Sequence, residues 1–222
     1  MKKLIIEFIG TFFLVLVIGL CINRPWPFYD TALLTPIAIG SILMAMVYMG
    51  GPVSGAHYNP AVTLGVFLRK KISGGEAAQY MAVQLLGAIA ASGVYFFLLG
   101  QSMSPPAPVM EFHYHLKPLL MELLFTFALV SVVLNVATTK KAAGNSYFGL
   151  AIGFTVAAGA IAAGPYSGGA FNPAVAVGPM LVGALFGHSA ISMAWFYILG
   201  QFAGAALAAW VFMITNPDEM QG

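Results

Sequence analysis

Two copies of one tripeptide carry the most pointed chemistry in this 222-residue chain: Asn59-Pro60-Ala61 and Asn172-Pro173-Ala174. Asparagine is a favoured helix N-cap, because its side-chain oxygen accepts from the first free backbone amides, and proline is favoured at the next position. Each tripeptide therefore predicts a helix start, with the positive end of the helix dipole at the asparagine. The asparagine amide also carries donors that a passing small molecule can use. Glu7 and Glu122 lie inside apolar stretches, where an acid is expensive and points to function. Their matched placement favours buried acceptors that brace loop amides over a proton relay. His57, two residues before Asn59, either lines a passage or braces the loop. His113 and His115 flank Tyr114, but no third ligand is evident, so no metal site is expected. No nucleophile–base set, phosphate loop or cofactor motif is present, which argues against an enzyme and against a cofactor.

The elements that position these residues follow from composition. The chain is 60% hydrophobic and only 7% charged, with mean hydropathy +0.89 and a formal net charge of +2. Soluble domains are far more charged, and a nucleic-acid binder is far more basic. One cysteine, Cys21, excludes an intrachain disulfide and a cysteine metal cluster. Six apolar segments, 4–22, 31–49, 77–99, 117–137, 147–163 and 190–214, are long enough, or nearly so, to cross a bilayer as helices. Two apolar pieces, 60–69 and 173–184, reach only about halfway at 1.5 Å per residue. Met1-Lys2-Lys3 before an apolar run resembles a signal peptide, but bulky Leu20 at the candidate cleavage site and Glu7 inside the apolar run argue against cleavage. Seven basic residues (Lys2, Lys3, Arg69, Lys70, Lys71, Lys140 and Lys141) fall on one side of this six-span chain, and only Arg24 and Lys117 on the other. The positive-inside rule makes the seven-charge side cytoplasmic, with both termini there. Arg69-Lys70-Lys71 is read as an orientation signal first and a lipid-headgroup contact second.

The sequence repeats itself. Residues 51–65 align without a gap on 164–178, with nine of fifteen positions identical. Glu7-Phe8-Ile9-Gly10-Thr11-Phe12 resembles Glu122-Leu123-Leu124-Phe125-Thr126-Phe127, and Gln84-Leu85-Leu86-Gly87-Ala88 resembles Gln201-Phe202-Ala203-Gly204-Ala205. Each half holds three spans, an odd number, so the halves, about 1–110 and 111–222, form an inverted repeat within one transmembrane domain. The two short helices then enter from opposite faces and meet at their asparagines. The Gly-, Ser- and Pro-rich segments 50–58 and 164–171 are expected to run extended along a water-filled cavity and present carbonyl acceptors. A cation there faces two positive helix ends and no carboxylate, so neutral hydroxyl or amine compounds are the expected traffic. Small residues at 87–91 and 204–209 are expected to allow close helix packing.

These features together resemble the aquaporin (major intrinsic protein) family over essentially the whole chain. The resemblance rests on the two Asn-Pro-Ala motifs, on Ser54-Gly55-Ala56-His57 before the first of them, and on the Glu-x-x-x-Thr pattern of spans one and four. It implies an all-α membrane protein of six transmembrane helices and two re-entrant half-helices. It also implies a homotetramer in the lipid bilayer, with a pore for water and small neutral solutes in each protomer. Gly55, Ala56, His57 and Gly168 are expected to line that pore. A four-position filter is implied at Ile39, Ala160, Gly169 and Val175. Strict water channels have histidine and arginine where Ala160 and Val175 stand, so a wider, uncharged constriction is expected. That admits water with glycerol, urea, ammonia or hydrogen peroxide. Valine after the second motif is similar to plant vacuolar aquaporins, while Ala176 replaces the acid that glycerol facilitators carry there. The alternative is a facilitator tuned to one larger solute such as glycerol, urea or a metalloid hydroxide. A closed scaffold or an ion-coupled transporter fits less well.

Overall fold

A computed structural model describes residues 1–22, 31–103, 112–187 and 191–220, without the side chains of 31–33 and 112–115. Arg24 therefore lies outside the described residues, as do the side chains of His113 and His115.

Six long helices form the frame: α1 (Lys2–Ile22), α2 (Thr31–Ser54), α4 (Gly74–Leu99), α5 (Phe112–Ala137), α6 (Phe148–Ser167) and α8 (Ala194–Thr215). Two short helices complete it, α3 (Pro60–Leu68) and α7 (Pro173–Leu185). Among the described residues, six segments are long and apolar enough to cross a membrane, and large apolar side chains such as Phe97 and Trp210 stay exposed on them. The chain is a multi-pass, all-helical membrane protein. At 1.5 Å per residue α3 spans about 14 Å, too short to cross.

The halves correspond in packing as well as in sequence. α1 packs on α4 as α5 packs on α8, and α2 meets α6 between the halves. Each short helix crosses to the other half: α7 packs on α4, and α3 on α8. Glycine allows the closest of these approaches. A side chain on Gly87 would stand 2.6 Å from the Phe8 carbonyl, and one on Gly204 would overlap the Leu123 carbonyl. At the α2–α6 crossing Gly40 and Gly153 face each other in the same way. These contacts use the small-residue stripes that let membrane helices pack backbone to backbone.

Two boundaries correct the expectation from sequence. α2 continues to Ser54 and α6 to Ser167, so the non-helical backbone is confined to 55–58 and 168–171 rather than 50–58 and 164–171, and three residues of each segment have positive φ instead of running extended. Pro52 and Pro165 each remove one helical hydrogen bond, but the ladder resumes past them: Gly55 N donates to Gly51 O at 3.1 Å, and Gly168 N to Gly164 O at 2.9 Å. Both prolines lie on exposed stretches of their helices, and a proline within a spanning helix is tolerated when neighbours satisfy the freed groups. Likewise α4 starts at Gly74 rather than 77, because Ser73 caps it by accepting from Glu76 N at 3.1 Å.

Arg69 departs from its expected role. It ends α3 and is only 2% exposed, with its guanidinium 3.1 Å from the Glu219 carboxylate and over the Phe212 ring. Glu219 also accepts from the Lys140 amide at 2.9 Å. The C-terminal turn Pro217–Met220 thus ties α3 to α8 and to the α5–α6 connection, and Arg69 is not available to a lipid headgroup.

Candidate functional site

The two loops meet at the asparagines. Asn59 caps α3, its Oδ1 accepting from Ala61 N at 2.8 Å, and Asn172 caps α7, its Oδ1 accepting from Ala174 N at 2.9 Å. Each asparagine then reaches across to the opposite loop. Asn59 Nδ2 donates to Phe171 O at 2.8 Å, and Asn172 Nδ2 donates to Tyr58 O at 2.9 Å. An amide nitrogen has two hydrogens, so one remains on each asparagine. Pro60, Ala61, Pro173 and Ala174 are buried in the first turns, so the positive ends of the two short helices abut.

Backbone strain sharpens the turns. Tyr58 and Phe171, each just before its asparagine, have φ of 52° and 48°, and Ala56 has φ of 53°. Side chains rarely accept the left-handed region, and it persists only where the surroundings enforce it. Two carboxylates supply that enforcement. Glu7 accepts from Ser54 Oγ at 2.7 Å and His57 N at 2.9 Å on one oxygen, and from Tyr58 N at 2.7 Å and Gln84 Nε2 at 2.8 Å on the other. Glu122 accepts from Ser167 Oγ at 2.7 Å, Ala170 N at 3.1 Å, Phe171 N at 2.8 Å and Gln201 Nε2 at 2.8 Å. Both acids are fully buried, and four donors to each offset the loss of water. Tyr80 and Tyr197 close the set, donating to the carbonyls of Ser54 at 2.8 Å and Ser167 at 2.6 Å.

Ser54/Ser167, Tyr80/Tyr197 and Gln84/Gln201 were not singled out as bracing residues from the sequence. The signal was available: they recur at offsets of 113 and 117, as the motifs themselves do.

A cavity of about 80 Å3 open to water-sized molecules runs past this junction. Its polar side chains are those of Asn59, Asn172, His57, Tyr58, Ser167 and Tyr197, joined by the loop residues Ala56 and Gly168. Most of the remaining wall is apolar, from residues such as Leu14, Ile39, Leu43, Leu129, Ile152 and Val156. Among the described residues bounding it there is no Lys, Arg, Asp or Glu. Of the four filter positions, Ile39, Gly169 and Val175 bound the cavity. Ala160 stands beside Gly169, where an added side chain would come within 3.2 Å of the Ala160 Cα, and α6 contributes Ile152 and Val156 to the wall instead. A vestibule of about 360 Å3 opens at the lysine-rich end, with Lys3, Lys71 and Glu76 on its rim and Gly55 in its wall. His57 bounds both spaces, and its Nδ1 pairs with Thr63 Oγ1 at 3.1 Å. The second loop has Ala170 at the matching position, so the two sides differ here in polarity.

Comparison with known proteins agrees with this geometry. The sequence profile of the family described as "Major intrinsic protein" matches residues 1–212. Aquaporin NIP1-4 of Oryza sativa subsp. japonica is 37% identical over 215 residues, covering 96% of this chain and 77% of the relative. Nodulin-26 of Glycine max is 33% identical, covering 97% and 78%. Glycerol uptake facilitator protein-like 6 of Lactiplantibacillus plantarum is 34% identical, covering 99% and 100%. Among solved structures, the aquaglyceroporin from Plasmodium falciparum superposes with a TM-score of 0.82, covering 100% of this chain and 99% of that one, at 18% identity. That likeness bears on the fold.

Proposed function

The chain belongs to the major intrinsic protein family, and from that premise we propose that it is a passive channel for water and small uncharged solutes such as glycerol, urea, ammonia and hydrogen peroxide. Its family holds channels, not enzymes. The carrying observation is the crossed asparagine pair in an uncharged cavity: Asn59 to Phe171 O and Asn172 to Tyr58 O. A neutral molecule passing there trades hydrogen bonds with the remaining asparagine hydrogens and with loop carbonyls. A cation meets two helix N-termini and no carboxylate, so ions are turned back. A water oriented by both asparagines donates away from the centre on each side, which interrupts a proton wire.

Ile39, Gly169 and Val175 form the constriction in this reading, with Ala160 beside Gly169, and its lack of fixed charge broadens the range of solutes. The resemblance to a glycerol uptake facilitator-like protein along that protein's full length favours a second reading, in which a larger neutral solute is the main cargo. We place residues 1–222 in one channel domain, assemble it as a homotetramer, and put the lysine-rich end and both termini in the cytoplasm of the cell membrane.

Stopped-flow light scattering on proteoliposomes under water, glycerol and urea gradients tests this. Fluxes above those of empty vesicles, with no proton current, are expected. A proton conductance comparable to the water flux, or no flux of any solute, would overturn it.

A further inference from the structure

We infer that Met103, on the segment that follows α4, is a fifth specificity-determining side chain, resting on the channel reading above. It bounds the central cavity together with Ile18, Ile22, Ile39 and Val175, at the end away from the lysines. It is only 5% exposed and belongs to a buried cluster with Tyr95 and Ala174, against which Val175 packs. Its seat is built. A side chain on Gly19 would lie 2.8 Å from Met103 Sδ and overlap its methyl, so glycine there leaves the room that the thioether occupies. The same added side chain would come 3.0 Å from the Tyr95 ring, and Ser92 Oγ, which donates to Ala88 O at 2.8 Å, stands 4.0 Å from the sulfur.

Of the four filter positions, only Ile39 and Val175 put a sizeable side chain on the cavity wall that Met103 shares. Gly169 has no side chain, and Ala160 has a methyl beside it. Met103 fills toward the path with a side chain that has no hydrogen to donate and bends readily. It therefore limits the width of a solute without offering hydrogen bonds to a polyol. Water, which is narrow, is little affected; glycerol, which is wider, is held back.

The test uses full-length protein in proteoliposomes. Met103→Ala is expected to raise the glycerol-to-water permeability ratio about threefold or more, since pore width sets selectivity, while Met103→Leu of similar volume holds it near the original. In a Cys21→Ala background, Met103→Cys is expected to lose flux on treatment with a membrane-impermeant cationic methanethiosulfonate, and to regain it with dithiothreitol. Cys21→Ala alone is expected to be insensitive. An unchanged ratio in a folded Met103→Ala protein overturns the inference, as does a Met103→Cys protein that resists the reagent, or that carries the adduct by mass spectrometry with full flux. If Met103→Ala fails to fold, the cysteine arm decides. Absence of flux in the unsubstituted protein would sink the channel reading itself, and this inference with it.

Discussion

Replacing Glu122 with glutamine tests whether a carboxylate is what holds the second loop. The wild-type group accepts four hydrogen bonds at 2.7–3.1 Å with no exposure to solvent. Glutamine keeps one acceptor oxygen and turns the other site into a donor. If that oxygen serves Ser167 Oγ and Ala170 N, the new amide nitrogen faces Phe171 N and Gln201. Gln201 can turn over, because its Oε1 has no partner in the native arrangement. Phe171 N cannot, and a buried donor without a partner costs about 1–3 kcal/mol. The remaining bonds fall from charge-assisted to neutral, losing about 1 kcal/mol each. The sum is about 3–6 kcal/mol, or a fall in Tm of between about 6 and 24 °C for a domain of this size. Fluorescence-detected size exclusion after heating, with stopped-flow water permeability alongside, reads both stability and conduction. A transition within about 2 °C of the wild type and full flux would refute the reasoning, since Phe171 would then hold its left-handed turn without the carboxylate. Glu7→Gln is expected to behave alike, because Tyr58 N stands where Phe171 N does.

Three further outcomes are expected. Gly204→Ala and Gly87→Ala each push a methyl against backbone rather than a flexible side chain, so each should cost at least about 1–3 kcal/mol by thermal melting, and wild-type melting would contradict the close α5–α8 and α1–α4 approach. Glu219→Gln leaves Arg69 buried and half-partnered; a loss of about 3–5 kcal/mol is expected, partly restored by Arg69→Met in the double variant, and additive losses would speak against a coupled pair. Val175→Arg puts a cation where the cavity has none and should reduce glycerol and urea flux more than water flux; unchanged selectivity would mean that the constriction lies elsewhere.

Much of this molecule is determined locally, and that part is legible in the chain. Apolar length fixes a spanning helix because lipid offers the backbone no partner, and Asn-Pro fixes a helix start because one side chain supplies the acceptor and the next residue needs no donor. The repeat, with three spans in each half, adds the inversion, and so the meeting of Asn59 with Asn172. What local sequence could not determine was where non-neighbouring groups settle. α2 and α6 run past their prolines because the helical ladder resumes beyond them, which the Gly-Pro pairs alone conceal. Arg69 reads as one of three surface cations, yet it is buried on Glu219, a residue 150 positions away whose approach depends on how α8 ends. Met103 has no motif at all; it sits at the cavity wall where Gly19, on α1, leaves room for its thioether. Such placements depend on shape complementarity between distant segments, which tertiary packing decides and no spacing along the chain encodes.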